Sequence, residues 1–557
     1  MPALVKVNDK YSRDNIESQY SKTESNDTSW MSLPRKDQLA ILFLCRLVDF
    51  LQVASLQAYV FFQLKAIDNT LSDSEISNQS GILQGAFTGA QVFTAFLWGR
   101  VADASWCGRK NVLLIGLFGT AISCLGYGFA TSFSWAVFWR AAGGGINGTV
   151  GITRTMIAEI TVERKYQSRA FLLLPISFSA ANILGPLMGG LLADPATSLP
   201  CLFEEGAIWS FGWIQKYPYA LPSVLNAATL AITGLIVFFA LEETSRERKG
   251  KRDIGLHMGS RLKSILFLKS PAESGYLKLQ PWNPRDNPAE YSEDSEEPSV
   301  YEKQEPRGNG RTLPFSRVWT RNVIFTLITE AFYDFQLGAF TNIWTLFLSS
   351  PRSSLNETAS QSLPWIFTGG LGMPASTVGV ATSILGILGM ILQIFFYPPV
   401  HARLGTLRGF QWFLPLFPIA YFLTPYLAII PSSSEPPEPA SGPAIWIYMT
   451  FIQLIQVTAR TITLPASIIL LNNCSPHPSV LGLIHGLGQS VSASFRTIGP
   501  IVGGWWYGSG LEMGMVGWSW WAVAFVSALG CASAMLVYEG TGHEILLEGE
   551  KDEVHSG

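Results

Sequence analysis

The sequence predicts an all-α membrane protein: twelve transmembrane helices in two pseudo-symmetric six-helix bundles. Three observations carry this. The 557 residues are 48% hydrophobic and only 14% charged, whereas soluble domains carry about 25% charged residues. Apolar runs of about 20 residues, the length that crosses a bilayer, recur along the whole chain. A Gly-Pro-x-x-Gly-Gly element appears twice, as GPLMGG at Gly185–Gly190 and GPIVGG at Gly499–Gly504, each in the fifth run of its half.

The runs fall at 38–64, 80–101, 111–130, 134–157, 169–193 and 218–241, then at 318–348, 376–398, 409–430, 444–471, 481–507 and 517–538. Charge, Pro or Gly bounds each one. With 18 Trp and 34 Phe, the chain holds more apolar surface than one soluble core absorbs, but lipid solvates it. The polar stretch through Trp30 contains no apolar core of a cleaved signal, so the first run is expected to act as an uncleaved signal-anchor. The expected layout is a disordered cytoplasmic N-terminus (1–34), a bundle (35–241), a linker (242–316), a second bundle (317–540) and a cytoplasmic tail (541–557). The linker begins basic and ends acidic and is expected to be largely disordered, with a short interfacial helix near Ile265–Phe267 as the alternative.

Net charge is −3, the six cysteines are scattered without a CxxC pair, and the six histidines form no cluster. No nucleic-acid partner, disulfide framework, metal site or cofactor is expected. Lys and Arg gather in alternate loops: Arg35 and Lys36; Arg100, Arg109 and Lys110; Arg164, Lys165 and Arg169; Arg246 to Arg252; Arg403 and Arg408. The other loops carry Asp68, Asp73 and Glu75, Glu204 and Glu205, and Glu435 and Glu438. That bias predicts cytoplasmic termini. Asn356 (NET) and Asn78 (NQS) then fall outside as candidate glycosylation acceptors, with chance matches as the competing reading.

A basic loop follows the second run of each half, GRVADASWCGRKN from Gly99 and HARLGTLRG from His401. Together with the repeated GPxxGG element, this relates two halves about an axis along the membrane normal. In Gly99, Asp103, Gly108, Arg109 and Lys110, in Arg140 followed by Gly144 and Gly148, and in Gly185, Pro186, Gly189 and Gly190, the chain resembles the major facilitator superfamily over about 35–545. Four residues separate Asp103 from Gly108, where the family's signature has two. The first run, DQLAILFLCRLVDF, resembles fungal drug/proton antiporters near the zinc-induced-facilitator-like group, with Asp49 where Glu is usual. The resemblance implies a secondary transporter, and its GPxxGG element is typical of proton-coupled antiporters. Physically, Gly99 would let helices approach and Asp103 would latch to Arg109 or Arg100 or sit at a helix N-terminus. Gly185, Pro186, Gly189, Gly190, Gly499 and Pro500 would permit tight contact and a bend.

An ionisable residue at bilayer depth costs at least about 2.5–3.5 kcal/mol and is a functional candidate by default. The candidates are Arg46 and Asp49 in span one, Arg140 in span four, Glu330 and Asp334 in span seven, Arg460 in span ten and Arg496 in span eleven. The resemblance places spans one, four, seven and ten on a central cavity. Asp49, Asp334 and then Glu330 are expected proton carriers. Arg46, Arg140 and Arg460 would hold the carboxylates or bind an anionic group, and Arg496 would be capped by backbone carbonyls. Static ion pairs fixing register are the competing reading. Polar residues such as Gln52, Gln84, Asn147, Gln336, Asn342 and Gln456 lie within the spans, and some are expected to line the cavity beside Trp344. The function expected is proton-coupled export of a small organic compound by a monomer in the plasma membrane rather than the vacuole. Proton-coupled uptake and a non-transporting sensor are the alternatives. No catalytic triad or P-loop is present, so an enzyme is not expected.

Overall fold

The computed structural model describes residues 33–161, 164–203, 212–245, 253–267, 313–353, 362–540 and 544–545. The protein is helical almost throughout. In the first half, span one is α1 (Lys36–Gln57) and α2 (Val60–Ile67), span two α3 (Asp73–Asp103) and span three α4 (Arg109–Gly128). Span four is split into α5 (Phe133–Ile146) and α6 (Thr149–Ile160), span five is α7 (Arg164–Leu192) and span six α8 (Ala220–Ala240). Helix α9 (Ile254–Phe267) follows in the linker and packs against α8.

In the second half, span seven is α10 (Arg321–Ser349), and span eight is α11 (Ala375–Ile391), a π turn at Leu392–Phe396 and the start of α12 (Tyr397–Phe413). Span nine continues α12 beyond Gly405 into α13 (Leu416–Leu423). Spans ten, eleven and twelve are α14 (Pro443–Asn473), α15 (Leu481–Glu512) and α16 (Gly517–Ala534). By length and apolarity alone, seven helical stretches among the described residues qualify as membrane-crossing, the longest holding both spans eight and nine. Span four falls short because it is broken into helices of 14 and 12 residues, and spans two and eleven carry many Gly, Ser and other polar residues along their length.

Local chemistry sets the helix starts. Ser72 and Glu75 form a capping box on α3, with Glu75 N donating to Ser72 Oγ (3.2 Å) and Ser72 N to Glu75 Oε2 (2.9 Å). Thr320 caps α10 through Val323 N (3.3 Å).

The halves repeat each other in packing. Span one packs on five as seven packs on eleven, three on six as nine on twelve, and two on four as eight on ten. Across the halves, two meets eleven and eight meets five. The GPxxGG elements sit at both crossings. A Cβ on Gly185 would lie 3.1 Å from Leu51 O, and one on Gly189 2.2 Å from Ser55 O, both in span one. One on Gly190 would lie 2.3 Å from Ala375 O in span eight. In the second copy, a Cβ on Gly499 would lie 2.4 Å from Phe335 O of span seven, and one on Gly504 2.5 Å from Ser77 O of span two. The carbonyls of Pro186 and Pro500 press on Gly379 and Gly81. Only glycine fits backbones this close.

These crossings lie towards the end that carries the acidic loops. There one hydrophobic core joins Leu56, Tyr59, Phe61 and Leu83 of the first half to Phe340, Ile343 and Phe347 of the second. Asn342 adds a polar clamp: its Nδ2 donates to Pro500 O (3.0 Å), and its Oδ1 accepts from Ser80 Oγ and Gln84 Nε2 (both 2.9 Å). Towards the basic-loop end the halves part. A Cβ on Gly89 would still reach Thr497, but no heavy atom lies within 4 Å of a Cβ on Gly99, and no residue of the π turn of span eight is fully buried. Gly99 therefore does not pack against a helix in this conformation. It lines a cavity of about 250 Å³ with Asp103, Gln91 and Thr155. The molecule is closed at the acidic-loop end and open at the basic-loop end.

The two basic loops share an unusual backbone. Gly108 has φ 82°, ψ 171°, and Gly405 has φ 69°, ψ −172°, a region that is essentially glycine's alone. Gly108→Ala is expected to cost about 1–3 kcal/mol. Thermal unfolding of the purified variant checks it, and an unchanged midpoint would refute the strain.

Candidate functional site

Span four breaks because its sequence is weak helix: Gly143, Gly144 and Gly145 precede Asn147, and each glycine lowers helix stability by about 1 kcal/mol relative to Ala. The chain leaves helical geometry at Asn147 (ψ 89°) and resumes at Thr149. This unwound turn turns polar groups onto span one. Asn147 Nδ2 donates to Asp49 Oδ1 at 2.5 Å, the Thr149 hydroxyl lies 3.0 Å from Asp49 Oδ2, and Arg46 Nη1 donates to Oδ2 at 2.5 Å. Asp49 is only 5% exposed. It sits inside the first bundle, held by three donors.

In the second bundle, Asp334 is 1% exposed, and Arg496 donates to its Oδ1 through Nε (3.2 Å) and Nη2 (2.7 Å). The Arg496 side chain is 51% exposed. It stands on the cleft between the halves, just past the last contact of Gly89 with Thr497, with Asp334 behind it. Glu330, one turn from Asp334 and half-buried, lies within electrostatic reach of both.

Several sequence expectations are corrected here. Arg496 is not capped by backbone carbonyls; it is the partner of Asp334. The reason is register: Arg496 lies one turn before Pro500, where spans seven and eleven approach through Gly338 and Gly499. Of the two roles expected for Arg140 and Arg460, holding a carboxylate or binding an anionic group, neither arginine takes the first in this conformation: both pair with no carboxylate among the described residues. Arg140 is buried over the Phe87 ring (4.5 Å) and donates to Gln52 Oε1 (3.3 Å). Arg460 is half-buried over the ring of Phe178 (4.7 Å), which belongs to the opposite bundle. Trp344 does not line the cleft. It is 1% exposed and packs with Phe340 and Trp520 inside the second bundle.

Arg154, within the fourth span, was absent from the expected charges. It is exposed and lies within electrostatic reach of Arg46 and of Arg496 across the cleft. Its signal was an arginine inside an apolar run, masked by its nearness to the span's end.

At the basic-loop end, Arg109 reaches Asp103 (3.4 Å) and forms an ion pair with Glu159 of span four. Asp103 therefore latches within its own loop rather than to a facing helix. Lys110 pairs with Asp253 (2.7 Å) just before α9. Glu243 was also missed: its carboxylate accepts from Arg109 N and Lys110 N (both 3.1 Å), capping span three from beyond span six. Asn78 is exposed on the second turn of α3. Asn356 lies outside the described residues.

Two six-helix bundles that pack alike, part at one end and hold charged residues within them have the architecture of a membrane transporter. Residues 41–355 match the Major Facilitator Superfamily profile, and the chain belongs to that superfamily. It is similar to the major facilitator superfamily multidrug transporter mfsB of Aspergillus fumigatus, 31% identical over 92% of this chain and 84% of that one. It is also similar to the efflux pump azaK of Aspergillus niger, 24% identical over 87% of this chain and 84% of the relative. Among solved structures, a D-xylose-proton symporter shares the fold, with a TM-score of 0.56 at 13% identity over 91% of this chain and 99% of that one. The protein is thus a multi-pass membrane transporter of small molecules and not an enzyme.

Proposed function

We propose that the protein is a proton-coupled exporter of a small organic compound, with the basic-loop end in the cytoplasm and the cleft open to it. One observation carries this reading: Asp334, 1% exposed, is held by the cleft-exposed Arg496, so that whatever moves this arginine takes away the carboxylate's partner. The printed roles of the relatives, a multidrug transporter and an efflux pump, support export. Asp334 and then Glu330 are the favoured carriers. Asp49 fits less well, because its three donors fix it within one bundle. A proton entering down the potential supplies about 2.3 kcal/mol per 100 mV.

The bundles rock about the GPxxGG crossings, opening the acidic-loop end as Gly99 and Asp103 meet the facing bundle. The test is substrate-driven proton movement in proteoliposomes. Wild type is expected to acidify the lumen corresponding to the cytoplasm as substrate leaves it, and Asp334→Asn to abolish that coupling. Full coupling in both Asp334→Asn and Asp49→Asn would reject the carriers, and proton and substrate moving in one direction would establish uptake instead.

A further inference from the structure

The charges around the cleft do not balance. Arg154, Arg460 and Arg496 stand there against Glu330 and Asp334, an excess of one positive charge when all are ionised. Of these carboxylates, Asp334 is already engaged by Arg496. Among the described residues, Arg154 and Arg460 make no ion pair. They come from opposite bundles, and each lies within electrostatic reach of Arg496. Arg460 is half-buried with no carboxylate at ion-pair distance, Arg154 is open to the cleft, and a bound anion supplies the partner that both lack.

Aromatic rings are interleaved with these cations. Arg46 lies over Phe50 (4.1 Å), Phe50 meets Phe178 edge-on (5.0 Å) and Phe178 carries Arg460 (4.7 Å). This chain of cation and ring crosses from the first bundle to the second, and Phe178 is half-buried on the way. Guanidinium planes stack on rings and fork onto carboxylates, so the same groups accept a flat apolar body and its anionic end.

Resting on the reading of the cleft as the transport path, we propose that the substrate is an aromatic organic anion. Arg460 and Arg154 take its anionic group, and Phe178 takes its ring. Because the two arginines belong to different halves, binding draws the bundles together at the basic-loop end, the movement that alternating access requires.

The test uses the full chain in nanodiscs with three probes: dansylglycine, its methyl ester and the cationic dye rhodamine 6G. Dansylglycine is expected to bind, and the neutral ester about tenfold more weakly. R460Q and R154Q should each weaken dansylglycine about tenfold and leave the ester unchanged, and R460K should recover part of the loss. Arg154 is exposed, so R154Q keeps the test decisive where R460Q folds poorly. Equal affinity for acid and ester, or no effect of either substitution, overturns the proposal. In proteoliposomes, dansylglycine that binds with this arginine dependence but is not moved upholds the ligand class and removes the transport reading. Rhodamine 6G moved while dansylglycine neither binds nor moves does the reverse.

Discussion

Arg496→Ala is expected to destabilise the protein by about 3–5 kcal/mol, the cost of breaking a buried ion pair from the side that leaves a buried charge. The asymmetry within the pair makes this specific. Asp334 is 1% exposed, whereas the Arg496 side chain is 51% exposed. Without the guanidinium, Asp334 keeps a buried charge with no ion-pair partner among the described residues. Asp334→Asn removes the carboxylate instead and leaves an arginine that the open cleft hydrates, so its cost should be near that of one hydrogen bond, about 1 kcal/mol. The double variant should recover most of the Arg496→Ala loss. Thermal unfolding of the three purified variants reads the order directly. Were Arg496→Ala as stable as Asp334→Asn, the burial argument would be wrong.

The second large effect concerns the GPxxGG crossings. Gly190→Val places a Cβ 2.3 Å from Ala375 O, and Gly504→Val places one 2.5 Å from Ser77 O. Both contacts are with backbone, so no side chain can rotate away, and overpacking of this kind costs about 1–3 kcal/mol. The cost falls only on the state in which the acidic-loop end is closed. The population of that state should drop by about tenfold for each 1.4 kcal/mol. Ser383, 2% exposed where span eight meets span five, reports it once changed to cysteine. Its labelling by a membrane-impermeant maleimide should rise strongly in either valine variant. Gly99→Val should leave this labelling unchanged or lower it, since Gly99 is free here and is filled only when the opposite end closes. Labelling that Gly190→Val fails to raise would mean that the crossing is not a gate.

Much of the architecture was legible because lipid imposes a simple rule. A helix that crosses it needs about 20 apolar residues, and the runs of this chain meet that length even where Gly and Pro interrupt them. The repeated GPxxGG was legible for a related reason: close backbone approach admits only the smallest residue, so the same constraint left the same letters in both halves. The conformation of Gly108 and Gly405 was not legible beyond their presence in corresponding loops. The same holds for the break at Asn147, although three preceding glycines marked a weak helix.

The charged site was read less completely. Residue types at membrane depth gave Asp49, Asp334, Glu330, Arg46, Arg140, Arg460 and Arg496, but not who holds whom. Arg46 and Asp49 are three residues apart, so helical geometry alone puts them on one face. Asp334 and Arg496 are 162 residues apart, and no periodicity links them. Only the packing of span eleven on span seven, fixed by Gly338 and Gly499, selects that pair over Arg460.

What the amino-acid sequence determined by itself is therefore the local and periodic part: helices long enough to cross, loops of alternating charge, two homologous halves, and which ionisable groups must be kept from lipid. The tertiary structure decided which end is closed, which carboxylate each arginine holds, and which guanidiniums are left over for a ligand. The physical reason is range. Hydrophobic length and helix periodicity act over a few residues, whereas a buried charge is neutralised by whatever the fold brings within about 4 Å, wherever in the chain it comes from.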